Sequence, residues 1–189
     1  MKKITIAAVL FSVLATNAFA QDAKMANEKT VMVGGAPMYP SKNIVENAMQ
    51  SKEHTTLVAA VAAAGLVETL QSAGPFTVFA PTNAAFEKLP AGTVDYLVKP
   101  ENKALLTTIL TYHVVAGKMT AKDLQAAIKK GNGMTELKTV QGGKLWVMAK
   151  DGNVWIKDEK GGMAKVTIAD VNQSNGVIHV IDTVVMPKS

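Results

Sequence analysis

The chain has 189 residues, a formal net charge of +5 and no cysteine. The absent thiol excludes a disulfide framework, a thiolate metal site, a catalytic cysteine and a lipid-modified cysteine. All of its basic residues are lysines with acidic residues among them; without the planar, bidentate fork of arginine, this charge describes a solvated surface rather than a reader of nucleic acid.

Lys2 and Lys3 precede an uncharged apolar run from Ile4 to Leu14, and Ala18-Phe19-Ala20 stands before Gln21. This is the pattern of a signal peptide over residues 1–20, cleaved after Ala20. The apolar run falls short of the roughly 18 to 20 residues that a membrane-spanning helix needs. A secreted or periplasmic protein without a membrane span is therefore expected. Cleavage would take Lys2 and Lys3 with it, lowering the formal charge from +5 to +3 and leaving 169 of the 189 residues, the size of one domain.

Residues 21–42 are polar and then turn-rich, with Gly34-Gly35-Ala36-Pro37 and Tyr39-Pro40 and no apolar period. They read as a flexible leader, with the domain itself at 43–187. Met25, Met32 and Met38 fall in this leader without the close, regular spacing of a copper site. Ile44, Val45, Ala48 and Met49 then share a helical stripe, and Leu57 to Leu70 continues at helical spacing with a break at Gly65. Gly74-Pro75 ends this part. Phe76 to Ala80 has the aromatic and β-branched residues of a short buried strand, stopped by Pro81. Thr82 or Asn83 can cap a short helix through Leu89, Thr93 another, and Asn102 to Leu110 supplies a third. Tyr112 to Val115 returns to strand character. Thr120-Ala121-Lys122-Asp123 has capping-box spacing with aspartate in place of glutamate, and opens a helix that stops at Gly131-Asn132-Gly133.

The last third reads as β structure. Leu145 to Ala149 and Asn153 to Ile156 flank Asp151-Gly152, a dipeptide suited to a tight hairpin turn. Val166 to Val171 and Val177 to Val185 are further strands. Helices come mostly first and strands mostly last, so the class is α+β.

Two segments say more. Gly74-Pro75-Phe76-Thr77-Val78-Phe79-Ala80-Pro81-Thr82-Asn83-Ala84-Ala85-Phe86 and Ser174-Asn175-Gly176-Val177-Ile178-His179-Val180-Ile181-Asp182-Thr183-Val184-Val185-Met186-Pro187 closely resemble the two signature segments of the fasciclin (FAS1) family. Between them, Leu110-Thr111-Tyr112-His113-Val114-Val115 resembles the family's Tyr-His motif. The resemblance implies a β-sandwich or wedge of about seven strands flanked by a bundle of short helices. Within the motifs, Thr82 and Asn83 turn the chain into the next helix, Phe86 can fold back on the core, and Asn175-Gly176 makes a turn. Val177, His179 and Ile181 alternate with Ile178 and Val180, as on a central strand buried on both faces, and Asp182 closes the segment.

The histidines show no paired ligand spacing, so no metal is expected. A neutral buried imidazole can donate one hydrogen bond and accept another; His113 and His179 read best as structural ties, with ligand binding and pH sensing as alternatives. His113 is expected to join its own segment to a signature segment. A Ser-His-Asp hydrolase is disfavoured, because strand geometry puts His179 and Asp182 on opposite faces and no Gly-x-Ser-x-Gly turn occurs. Dispersed carboxylates and the lack of a phosphate loop disfavour other catalysis, and no cofactor is expected. Trp146 and Trp155 flank the Asp151-Gly152 hairpin; they can meet a sugar or apolar ligand, or pack on the sheet.

The resemblance implies an adhesion or matrix-interaction module whose partner is a protein or polysaccharide on a cell surface or in the matrix. In animal relatives the Tyr-His motif and short Asp-Ile motifs are associated with integrin binding. The matching positions here are Tyr112, His113, Ile109, Leu110, Val114 and Val115, and Asp170 with Val171, where valine departs from the isoleucine of the pattern. One module alone binds weakly unless it forms a homo-oligomer or is displayed in many copies. The alternative is a soluble carrier or receptor for a small apolar ligand, which a sizeable apolar cavity would favour.

Overall fold

The computed structural model describes residues 28–188. The expected signal peptide and the start of the leader lie outside these residues. In chain order the elements are β1 (Val31–Val33), β2 (Ala36–Met38), α1 (Ile44–Ala48), α2 (Thr55–Ala64), α3 (Val67–Gln71), β3 (Phe76–Pro81), α4 (Asn83–Glu87), α5 (Thr93–Leu97), a 3-10 turn at Pro100–Asn102, α6 (Lys103–Tyr112), β4 (Val114–Ala116), α7 (Ala121–Lys130), β5 (Met134–Lys138), β6 (Lys144–Lys150), β7 (Asn153–Lys157), β8 (Met163–Gln173) and β9 (Gly176–Ile181). The class is α+β, as the sequence implies.

Seven strands form one mixed sheet in the order β4-β3-β9-β8-β7-β6-β5. Neighbours are antiparallel except β3 and β9, which run parallel with Phe79 opposite His179. The sheet nearly closes into a barrel: the Val140 N–H donates to the Val114 carbonyl at 2.7 Å, and Val115 bridges Thr139.

Alternation along β3 and β9 divides the interior in two. Val78, Ala80, Ile178 and Val180 face the helices and pack with Leu57, Val61, Phe86, Leu106 and Leu110. Phe79 and Ile181 point the other way, into a second cluster with Tyr112, Leu145, Val147 and Ile156, which α7 joins through Leu124 and Ile128. All six residues of β9 are buried, the central-strand environment read from the sequence.

Local signals account for the helix starts. Thr120 and Asp123 form the capping box of α7, Thr82 accepts the Ala85 N–H at the start of α4, and Gly65 ends α2 in a left-handed conformation. For α5 the N-cap is Gly92, and Thr93 is the first helical residue.

Three expectations are corrected. Residues 31–38, read as part of a flexible leader, form the β1-β2 hairpin, because Gly34 and Gly35 at φ 58° and 77° make a two-residue turn and bring Val33 and Met38 into the helical-side core. Tyr112 and His113 are not strand residues. Tyr112 ends α6 and His113 caps it, donating from Nδ1 to the Ile109 carbonyl at 2.8 Å, so only Val114–Ala116 is extended. The strand Met134–Lys138 lies where the sequence showed no strand, and Leu137 is its one buried residue.

Candidate functional site

The Tyr-His segment lies where α6 enters β4. Its side chains face inward: Ile109, Leu110, Tyr112, His113, Val114 and Val115 are all buried, Tyr112 completely. The Tyr112 hydroxyl donates to the Lys144 carbonyl at 2.6 Å and accepts the Glu159 N–H at 3.1 Å. Burial pushes its pKa up to about 12, and the nearby carboxylates of Glu159 and Asp158 act in the same direction.

Burial holds the His113 imidazole down at about pKa 4, so the ring is neutral. With Nδ1 donating to Ile109, its Nε2 accepts the Val185 N–H at 3.2 Å. Val185 belongs to the second signature segment. The His113 carbonyl meanwhile accepts the Phe79 N–H, in the first.

The signature residues make similar ties. Asn83 accepts the Thr56 N–H on Oδ1 and donates to the Lys52 carbonyl, so it caps α2 from a distance. Phe86 packs in the helical-side core. Asn175 is buried, accepts the Ile44 N–H and donates to the carbonyls of Leu70 and Ser72, which fixes α1 and α3 against the sheet. Gly176 lets β3 and β9 approach: a Cβ there would stand 2.1 Å from the Phe76 carbonyl oxygen.

His179 stacks on Phe79 with ring centroids 5.7 Å apart; its Nε2 donates to the Met119 carbonyl and its Nδ1 accepts the Asp170 N–H. Burial lowers its pKa too. Asp182 turns away from it and accepts the Lys165 N–H. Burial alone would raise the Asp182 pKa, but this hydrogen bond, the Thr183 hydroxyl and Lys88 together lower it. The two residues therefore form no dyad.

Asp170 sits at φ 58° within the register shift of β8 between Ile168 and Val171 and accepts the Ala121 N–H, the first of α7, at 2.6 Å. Val171 beside it is buried. The expected partner-binding residues are thus mostly internal and divided between the two sides of the sheet, and only Asp170 among them is partly exposed.

Leu110, His113, Val114 and Val171 also line a cavity of about 220 Å³ between the helices and the sheet, with β1-β2 along one side through Val33 and Met38. Its lining is almost wholly apolar. His54 reaches it as well, buried, with Nδ1 against the Ser51 hydroxyl and no partner for Nε2 among the described residues. No group of three or more His, Cys, Asp or Glu side chains among the described residues could hold a metal ion, and no described helix is long and apolar enough to cross a membrane.

The opposite side of the molecule carries features that sequence reasoning named only in part. Trp146, Met148 and Trp155 are half-buried on the outer face of β6 and β7, outside both hydrophobic clusters. The two tryptophans were visible as hairpin residues. Their lysine neighbours on β5 and β8 were not, because strand register had to place them.

The fasciclin domain profile matches residues 52–187. The protein sll1483 of Synechocystis is 50% identical over 160 residues, covering 85% of this chain and 82% of that protein. The immunogenic protein MPB70 of Mycobacterium bovis is 41% identical over 145 residues, covering 74% of this chain and 66% of that protein. A solved FAS1 domain pair from the insect cell adhesion molecule fasciclin I superposes with a TM-score of 0.68 at 19% identity, covering 85% of this chain and 58% of that one. With its signature segments joined through Asn175, Gly176 and His113 in this fold, the chain belongs to the fasciclin domain family.

Proposed function

We propose that this is an exported interaction module of the cell surface or matrix, which binds a protein or polysaccharide and performs no catalysis. The observation that carries this reading is the outer face of β5–β8, where aromatic side chains stand outside both cores among exposed lysines. A FAS1 pair from a cell adhesion molecule with the same fold supports it. The buried histidines support it too, since their ring nitrogens serve mainly backbone ties and their pKa values are lowered toward the neutral form.

The test is a pull-down with the purified chain against envelope and medium fractions, run beside a Lys150→Glu/Lys157→Glu variant. A specific protein or polysaccharide captured by the wild type and lost by the variant is the expected result. Capture that is absent, or equal for the two, would reject this face as the contact.

The cavity favours a second reading, transport of a small apolar ligand. At about 220 Å³ it exceeds the roughly 150 Å³ at which an apolar cavity is known to admit benzene. Solvent extraction of protein purified from its source, followed by mass spectrometry, should release an apolar molecule that a cavity-filling Val61→Trp variant does not carry. A clean extract from the wild type argues against it.

A further inference from the structure

Strand register arranges the outer face of β5–β8 in cross-strand rows. In one, Trp146 lies between Glu136 and Lys157; in the next, Trp155 lies between Met148 and Lys165. Lys138 faces Lys144 beyond the first row, and Lys150 lies beyond the second. The tryptophans are diagonal neighbours, since Trp155 stands opposite the residue two places after Trp146. The same register turns Val147, Ile156 and Ala164 inward, so these positions have no alternative face.

The charge of this face is one-sided. Five lysines stand against one glutamate, an excess of four positive charges on one face. Glu136 pairs with Lys144 at 3.0 Å, and the other four lysines have no carboxylate partner among the described residues. Lys150 places its ammonium 5.8 Å from the Trp155 ring centroid. The Trp155 indole N–H is buried without an acceptor among the described residues, an unsatisfied donor on this face.

We propose that this face binds a carboxylated polysaccharide, with uronate rings lying on Trp146 and Trp155 and their carboxylates held by the surrounding lysines. An indole offers a flat apolar plane to the C–H face of a sugar while its N–H serves a hydroxyl or carboxylate. Lysine supplies mobile point charges that pair with single anionic groups along a flexible chain, whereas base recognition favours the arginine fork that this chain lacks. From Lys144 to Lys150 the face extends about 20 Å, six steps of a strand, which is long enough for several sugar rings. The tryptophans are half-buried beside the exposed Lys138, Lys144, Lys150 and Lys157, which suits a hydrated polyanion better than insertion into a bilayer. This assignment rests on the interaction-module reading and names its partner.

Trp146 and Trp155 are the chain's two tryptophans, so its indole emission reports from this face alone. Titration of the whole chain with polygalacturonate should give a saturable change in that emission, weakened by salt, while neutral dextran gives none. A Lys150→Gln/Lys157→Gln/Lys165→Gln variant should bind at least about tenfold more weakly at an unchanged melting temperature. If the triple variant fails to fold, Lys157→Gln alone, an exposed position, should weaken binding about two- to threefold. Unchanged emission with polygalacturonate, undiminished binding by a folded variant, or a response only to phosphatidylglycerol vesicles overturns the proposal. Envelope capture that survives such a failure, and still depends on Lys150 and Lys157, sinks the polysaccharide assignment and leaves the interaction module standing.

Discussion

His113 Nε2 accepts the Val185 N–H at 3.2 Å while its Nδ1 donates to the Ile109 carbonyl at 2.8 Å. One neutral ring thereby pins the end of α6 to the strand-exit segment that follows β9. Replacing His113 with Ala strands a buried N–H and opens space between the two cores. A loss of about 3 kcal/mol is expected in urea denaturation. An unchanged midpoint would show that the ring ties nothing together.

The same burial sets a pH response. The folded pKa of His113 is about 4, below the ordinary value of 6.5. The unfolded chain therefore takes up a proton first as pH falls, and the stabilisation by the neutral ring is full above about 6.5 and is lost between there and about 4. The sign is loss of stability on acidification, roughly 3 kcal/mol from this group. His54 and His179, whose values are also lowered, add in the same direction. Melting curves from neutral to mildly acidic pH measure this, and His113→Ala should flatten the slope.

Asn175 serves three backbone groups from one buried amide, on Ile44, Leu70 and Ser72. Its replacement by Ala should cost about 2 to 4 kcal/mol. The loss should be regional: hydrogen exchange in α1 and α3 should accelerate before exchange in β9, because those helices are docked through this side chain. Uniform acceleration across the domain would contradict the assignment.

The Tyr112 hydroxyl joins the Lys144 carbonyl to the Glu159 N–H. Tyr112→Phe keeps the packed ring and removes only this bridge, for a loss of about 1 to 2 kcal/mol. In the wild type the raised folded pKa works in alkali. The stabilisation by the protonated phenol is complete below about 10 and is lost as pH rises toward about 12. Tyr112→Phe should be less sensitive over that window in thermal melts.

Where a local rule decided the conformation, the sequence was readable: the Thr120 capping box, the Gly65 helix stop and the Asp151-Gly152 hairpin are all in place. Gly34-Gly35 was a comparable signal, passed over because the polar residues before it argued for a leader. Tyr112 and His113 misled because their β-branched neighbours suggest a strand, whereas the imidazole completes the last helical turn. For the site, the Tyr-His motif was found but its burial was not, since a segment rich in apolar and aromatic residues can face a partner or a core equally well. The lysines of β5 and β8 join Trp146 and Trp155 only through register, which depends on contacts between distant parts of the chain.

The bridge between Val115 and Thr139 reaches beyond closing the sheet. An open β-sheet ends in a row of unpaired amides and carbonyls that any extended chain can extend, the route by which peptides augment a sheet and proteins aggregate. Here the two outermost strands turn toward each other, so the seven-stranded sheet offers little backbone to recruit a further strand. Recognition through it is left to side chains on its faces, where a partner is chosen by chemistry rather than admitted by strand addition.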